Sequence, residues 1–173
     1  MRTGFGIKIG YITYRVISWT LIALCLWMIH GFSLQNAESS DALSLEVTDV
    51  VARILKPEGK INRNTDSFQQ LHAYVRKGAH ALEYALLALA IMMVLAPCRM
   101  RVRHKVLLAL LLCAAFAGYD EWTQSMSEGR SPAVRDVAID TAGACLGCFA
   151  ALLMRLMVLL ELRPSLYRQP PGK

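Results

Sequence analysis

Apolar residues dominate four stretches of the chain, and polar residues gather between them. The runs are Val16 to Phe32, Gly78 to Ala96, Val106 to Tyr119 and Val137 to Leu160, the last interrupted by Asp140 and Arg155. A helix needs roughly 20 apolar residues, range about 17–25, to cross a hydrocarbon core. The first, second and fourth runs meet that length. The third offers 14 residues, or about 21 Å at 1.5 Å per residue. It spans only by drawing on its flanks. Lys105 is expected to snorkel at one end, with Asp120, Glu121 and Trp122 near or within the interface at the other.

The expected fold is therefore all-α. Residues 1–173 form a single membrane domain, a polytopic bundle of four transmembrane helices at about 16–32, 78–96, 106–121 and 137–160, with an outer loop at 33–75. The first run also has the basic start and apolar centre of a signal peptide. It is long for that role and no convincing small-x-small site follows, so it reads as an uncleaved first span. Within the loop, Leu43, Val47, Val50, Val51, Ile54 and Leu55 recur at helical spacing. An amphipathic interfacial helix on the outer leaflet explains them better than a partner-binding helix, and Lys56-Pro57 ends it. Ser67 to Gln70 fits a Ser-x-x-Gln capping box. A helix begun there runs through Tyr74 into the second span.

Composition supports the same reading. The chain is 55% hydrophobic and 18% charged, against about 45–50% and about 25% for soluble domains. Disorder requires low hydrophobicity, and 173 residues exclude a large multidomain enzyme. The net charge of +6 is spread in short clusters between apolar runs. Nucleic-acid binding wants one continuous basic face, so no nucleic-acid partner is expected. Charge also sets topology, because short cytoplasmic loops are rich in Lys and Arg. The turn 97–105 holds Arg99, Arg101, Arg103 and Lys105 and no acid. The start holds Arg2, Lys8 and Arg15, and the tail holds Arg163, Arg168 and Lys173. Residues 33–75 carry six acids against four bases, and 120–136 four against two. Both termini are expected inside, with both mixed loops outside.

That orientation gathers ionisable residues at one end. The second span opens with Arg76, Lys77, His80, Glu83 and Tyr84; the third ends with Asp120, Glu121 and Gln124; the following loop and the fourth span bring Glu128, Arg130, Arg135, Asp136 and Asp140. Ionisable groups are costly in lipid and are functional candidates there. Lys77, His80 and Tyr84 share a helical face, and Asp136 and Asp140 share another. Six acids against four bases leave room for a protonated carboxylate or a bound cation, or for a purely structural network of paired charges. The residue types name no cofactor. Cys145 and Cys148 have Cys-x-x-Cys spacing, but no second ligand pair exists for zinc, so no metal site is assigned and small packing residues are expected. Gly143-x-x-x-Gly147 lets another helix approach closely, for packing within the chain or for a homo-oligomer. The inner halves of the spans carry little polar lining beyond Arg15 and Arg155.

At these residues the sequence resembles the VanZ-like family of small bacterial integral membrane proteins. Four pieces match in order. They are Phe32-Ser33-Leu34-Gln35 followed by Ser39, Ser40 and Ser44; Arg76-Lys77-Gly78-Ala79-His80 with Glu83-Tyr84; Asp120-Glu121-Trp122-Thr123-Gln124 with Gly129-Arg130-Ser131; and Asp136-x-x-x-Asp140-x-x-Gly143-x-x-x-Gly147. Many family members carry Asn at the position of Asp140, so this chain adds a negative charge. The resemblance implies a multi-pass protein of the bacterial cytoplasmic membrane and envelope. The family's namesake is associated with teicoplanin resistance, and no catalytic roles transfer.

Two functional readings follow. In the first, the outer cluster binds or modifies an envelope lipid or cell-wall precursor and so affects glycopeptide susceptibility. Lys77, Arg130 and Arg135 then hold phosphate oxygens, with Tyr84, Gln124, Asp136 and Asp140 completing the binding site. His80, Glu83, Asp120 and Glu121 are the candidates for acid–base chemistry, if there is chemistry. In the second, the protein is a non-enzymatic membrane scaffold or partner subunit whose buried ion pairs set helix register. The sequence holds no Gly-x-Ser-x-Gly, His-Glu-x-x-His or P-loop signature.

Overall fold

The computed structural model describes residues 2–35, 37–55, 62–126 and 134–166. These residues form five helices and, among them, no strand: α1 (Arg2–Ser33), α2 (Ala37–Leu55), α3 (Asp66–Leu95), α4 (Val102–Gln124) and α5 (Val134–Leu166). Four stretches are long and apolar enough to cross a membrane: Ile9–Ser33, Asp66–Leu95, Val102–Gln124 and Val134–Glu161. Their outer surfaces carry Leu82, Leu86, Leu107, Leu111, Leu146 and Phe149, all well exposed. Soluble monomers rarely expose contiguous apolar patches beyond a few hundred Å². Lipid is the solvent that suits these faces, and the protein is a multi-pass membrane protein.

The four expected spans and the helix of the first loop are all present, with longer bounds. The third span gains most, since α4 continues through Asp120 to Gln124 and reaches 23 residues. α3 begins at Asp66, earlier than the Ser67 capping box suggested. Thr65 stands at its N-cap with extended backbone and no side-chain capping bond. α3 then runs without a break into the second span. Its last 20 residues, Arg76 to Leu95, are about 30 Å long, the thickness of a hydrocarbon core. The residues before Arg76 therefore stand beyond the apolar layer when Leu95 sits at its opposite boundary.

α3 is the hub. It packs most extensively on α5 and also touches α1, α2 and α4. The core joins Tyr84, Leu87, Ala88 and Ile91 of α3 to Ala109, Cys113 and Ala117 of α4, Ala144 and Cys148 of α5 and Ile29 of α1. Small residues dominate because lipid tails are as apolar as leucine, so close packing must replace the hydrophobic drive. The contact is closest at Gly143 and Gly147. A Cβ on Gly143 would collide with the backbone of Ala81, and one on Gly147 with the backbone of Ala85. The glycine face that offered a route to a second copy is thus occupied by α3 of the same chain. Cys145 and Cys148 do not work as a pair: Cys148 is buried in the core, Cys145 is exposed, and both are free thiols.

The opposite end departs from expectation. Lys105 does not snorkel. It is buried, and its Nζ donates to the Ala96 carbonyl at 2.7 Å. Tyr14 Oη donates to the Met93 carbonyl at 2.7 Å. The Ala96 and Met93 carbonyls at the C-terminal end of α3 thus gain side-chain donors from α4 and α1, Met93 alongside its bond from the Ala96 N–H. A cation there also complements the negative end of the helix dipole.

Two outcomes follow from this packing. Gly147→Leu forces backbone apart and lowers stability by about 1–3 kcal/mol or more. Gly118→Ala, where a Cβ meets nothing within 4 Å, is neutral or stabilising by about 0.5–1 kcal/mol. Unfolding titrations in mixed micelles measure both, and equal effects would contradict the seam. The second concerns Asp49 of α2, which pairs with Arg63 ahead of α3 and bridges the intervening loop. The hydrogen bond from Arg63 holds the Asp49 carboxyl below its ordinary value of 3.8. A depressed carboxylate stabilises fully above its unfolded value and loses that contribution as pH falls through its folded one. Asp49→Asn should speed amide exchange in α2 at neutral pH, and the difference from wild type should vanish in acid below the carboxylate range.

Candidate functional site

The site lies at the end of the bundle where α3 emerges. Lys77, His80, Glu83 and Tyr84 come from consecutive turns of α3, Asp120, Glu121 and Gln124 from the last turns of α4, and Asp136 and Asp140 from the first turns of α5. The glycine seam of α5 starts one turn beyond Asp140, so the contact that seats α5 on α3 also places Asp140 against this cluster. Glu83, Asp120 and Asp140 all act electrostatically on both His80 and Tyr84. Three helices therefore converge there, as the sequence pattern suggested.

A cavity of about 390 Å³ opens at this point. Arg76, Lys77 and His80 line one side, and Glu121, Asp136 and Asp140 the other. A smaller cavity of about 160 Å³ lies between α3 and α2, bounded by Leu43, Ser44, Val47 and Glu83. Arg76 and His80 border both spaces. His80 Nδ1 stands 3.6 Å from Glu83 Oε2, an ion-pair distance beyond a normal hydrogen bond. Glu83 thus faces one nitrogen of the imidazole and leaves Nε2 for another partner.

Burial divides the acids into two kinds. Asp120 is buried and satisfied on one side. Gln124 Nε2 donates to its Oδ2 at 2.8 Å, and Ser33 Oγ of α1 donates to its backbone carbonyl at 3.3 Å. Asp140 is buried with Oδ1 unpartnered, and Tyr84 is fully buried with an unpartnered hydroxyl, among the described residues. Orphaned buried polar atoms are uncommon in folded proteins and call for a reason, such as a ligand or a catalytic role. No group of three or more His, Cys, Asp or Glu able to hold a metal ion occurs among the described residues.

The cations are arranged differently from the sequence expectation. Arg135 is exposed and is not part of the cavity lining. Arg130 lies outside the described residues, as do Glu128, Gly129 and Ser131. Lys77 lines the cavity, and Arg76 joins it there while pairing with Asp41 of α2 at 2.9 Å. This pair joins positions 35 apart in sequence, so spacing along the chain could not show it. Gln69 and His72 also line the cavity, and His72 Nε2 meets Ser44 Oγ at 2.8 Å. Their signal in the sequence was the α3 helix running back past Tyr74, which carries its first turns over the mouth of the site.

A family model described as VanZ/LLP1 matches residues 18–155. The chain belongs to the VanZ/LLP1 family. The match runs from α1 to α5 and encloses every site residue named above. No curated protein and no solved structure matches the chain. In this VanZ/LLP1 protein, Asp140 buries one carboxylate oxygen without a partner among the described residues. Asp140→Asn should keep the fold and raise stability by about 1–3 kcal/mol, because it removes a buried negative charge that the carboxylates of Asp120, Glu83 and Asp136 oppose. Tyr84→Phe, which removes an unpartnered buried hydroxyl, should also be stabilising, by about 1–3 kcal/mol. Thermal unfolding in detergent measures both, and a large loss in Asp140→Asn would show that the carboxylate is structurally paired.

Proposed function

We propose that this VanZ/LLP1 protein binds the phosphate-bearing head group of an envelope lipid or cell-wall precursor in the cavity between α3, α4 and α5. The observation that carries this reading is the lining: Lys77, which makes no ion pair among the described residues, and Arg76, at a depth where lipid head groups lie. Lys77 supplies a point charge and Arg76 a guanidinium held in place by Asp41. Arg130 is retained as a contributor, and so is Arg135, which stands exposed in the first turn of α5. The apolar slot beside His80 suits the start of a lipid chain. Should the bound group react, His80 is the acid–base candidate with Glu83 orienting it, and Asp120 and Glu121 supply carboxylates nearby.

The orientation belongs to the same proposal. The basic turn 97–105 faces the cytoplasm, both termini lie inside, and the cavity opens on the outer face of the bacterial cytoplasmic membrane. α2 lies along the outer leaflet. Its large residues Leu43, Val47, Val50 and Ile54 are exposed, while Ser44 and Thr48 turn inward, with Thr48 fully buried. That is the polarity of a helix with its apolar side in lipid. Binding a precursor at this site would alter glycopeptide susceptibility.

A scaffold or partner subunit is the competing reading, and the Arg76–Asp41 bridge favours it in part because it is architectural. Lipidomics of material copurified with wild type, Lys77→Gln and Glu83→Gln separates the two. The lipid-binding reading predicts enrichment of one phosphate-bearing class that falls roughly tenfold in Lys77→Gln, one charged hydrogen bond being worth about that. Identical lipid profiles, together with full function in the swapped pair Arg76→Asp with Asp41→Arg, would leave the scaffold.

A further inference from the structure

A second cavity lies at the opposite end of the bundle, with its own chemistry. It measures about 530 Å³, within the usual ligand-site range of about 300–1,000 Å³. Its walls are apolar, with Leu89 and Met92 of α3 facing Leu152, Met154, Val158 and Leu159 of α5. Along α5 the lining runs from Ala151 to Leu159, about 12 Å of helix rise, so the cavity is a slot parallel to the spans. Its polar lining consists of Tyr14, Lys105 and Arg155, with no carboxylate.

Lys105 is the unusual member. Its residue is only 4% exposed. An ammonium has three donors, and one is used on the neutral carbonyl of Ala96. No carboxylate lies within ion-pair distance of it among the described residues. The cap explains one donor and the favourable helix end. It does not neutralise the charge, and a buried cation is costly until paired. Arg155, on α5 and exposed at its side chain, lines the same slot. Two cations in the lining of an otherwise apolar slot complement an anionic head group followed by an alkyl chain.

We infer that this slot is a binding site for an anionic phospholipid of the leaflet at that end, with Lys105 and Arg155 on the phosphate and one acyl chain between α3 and α5. The site shares no lining residue with the cavity around His80, and the inference does not depend on what that cavity binds. The bound lipid would complete the electrostatics of the α3–α4 turn and fill a gap in the α3–α5 interface.

Native mass spectrometry of the full chain, released from bilayers of equal phosphatidylglycerol and phosphatidylcholine, tests this. Wild type should retain phosphatidylglycerol selectively. Arg155→Gln and Lys105→Met should each lower that retention roughly tenfold, and Lys105→Arg should preserve it. Because Lys105→Met also removes a helix cap, the exposed Arg155 provides the variant that does not disturb the fold. Ala151→Phe, which blocks the apolar wall, should exclude the lipid. Excess inorganic phosphate should not displace it. Equal retention of phosphatidylcholine, or unchanged retention in Arg155→Gln, would overturn the inference. So would displacement by phosphate alone.

Discussion

Everything in this protein rests on the backbone contact between α3 and α5. In a bilayer, helices gain little by hiding apolar side chains from one another, because lipid offers the same environment. Association must come from close fit. Gly143 and Gly147 supply it by leaving no Cβ between the helices, so that α5 meets the backbone of Ala81 and Ala85. The same two turns of α3 carry His80, Glu83 and Tyr84, and the turn before Gly143 carries Asp140. Helix packing and site assembly are therefore one event. A residue that pried the seam open would also move Asp140 away from Tyr84.

Around that seam the polar residues divide by task. Arg76 and Asp41 tie α2 to α3, Ser33 and Gln124 satisfy Asp120, and Lys105 and Tyr14 cap the far end of α3. These are structural roles with identified partners. What is left is smaller and more informative: Lys77 in the cavity, His80 between two cavities, and the orphaned oxygens of Tyr84 and Asp140. A network built solely to hold helices in register would be expected to satisfy its own atoms, since a buried orphan costs about 1–3 kcal/mol.

Much of this was legible in the order of residues. Run length announced four spans, the periodicity of Leu43 to Leu55 announced α2, and the clustering of charges at span ends announced the residues that now line one cavity. Four features were not legible, each for a physical reason. The start of α3 rests on Thr65 and the turn before it, where no side-chain cap marks the boundary. Lys105 resembles any snorkelling lysine until α3 is known to end above it. The Arg76–Asp41 bridge and the exclusion of Arg135 from the cavity depend on how α2 and α5 lie against α3, which linear spacing does not encode.

The polar cavity lined by Lys77 and His80 opens at one end of the bundle, and Tyr84, one turn further along α3, is fully buried. Substituted-cysteine labelling along α3, in a variant whose five native cysteines are replaced, tests this arrangement most directly. With sealed cells and a membrane-impermeant maleimide, Ala73→Cys and Lys77→Cys should react from outside, while Leu87→Cys and Ile91→Cys should stay unreactive from both sides. Reaction at Leu87→Cys, or protection of both Ala73→Cys and Lys77→Cys, would contradict the account.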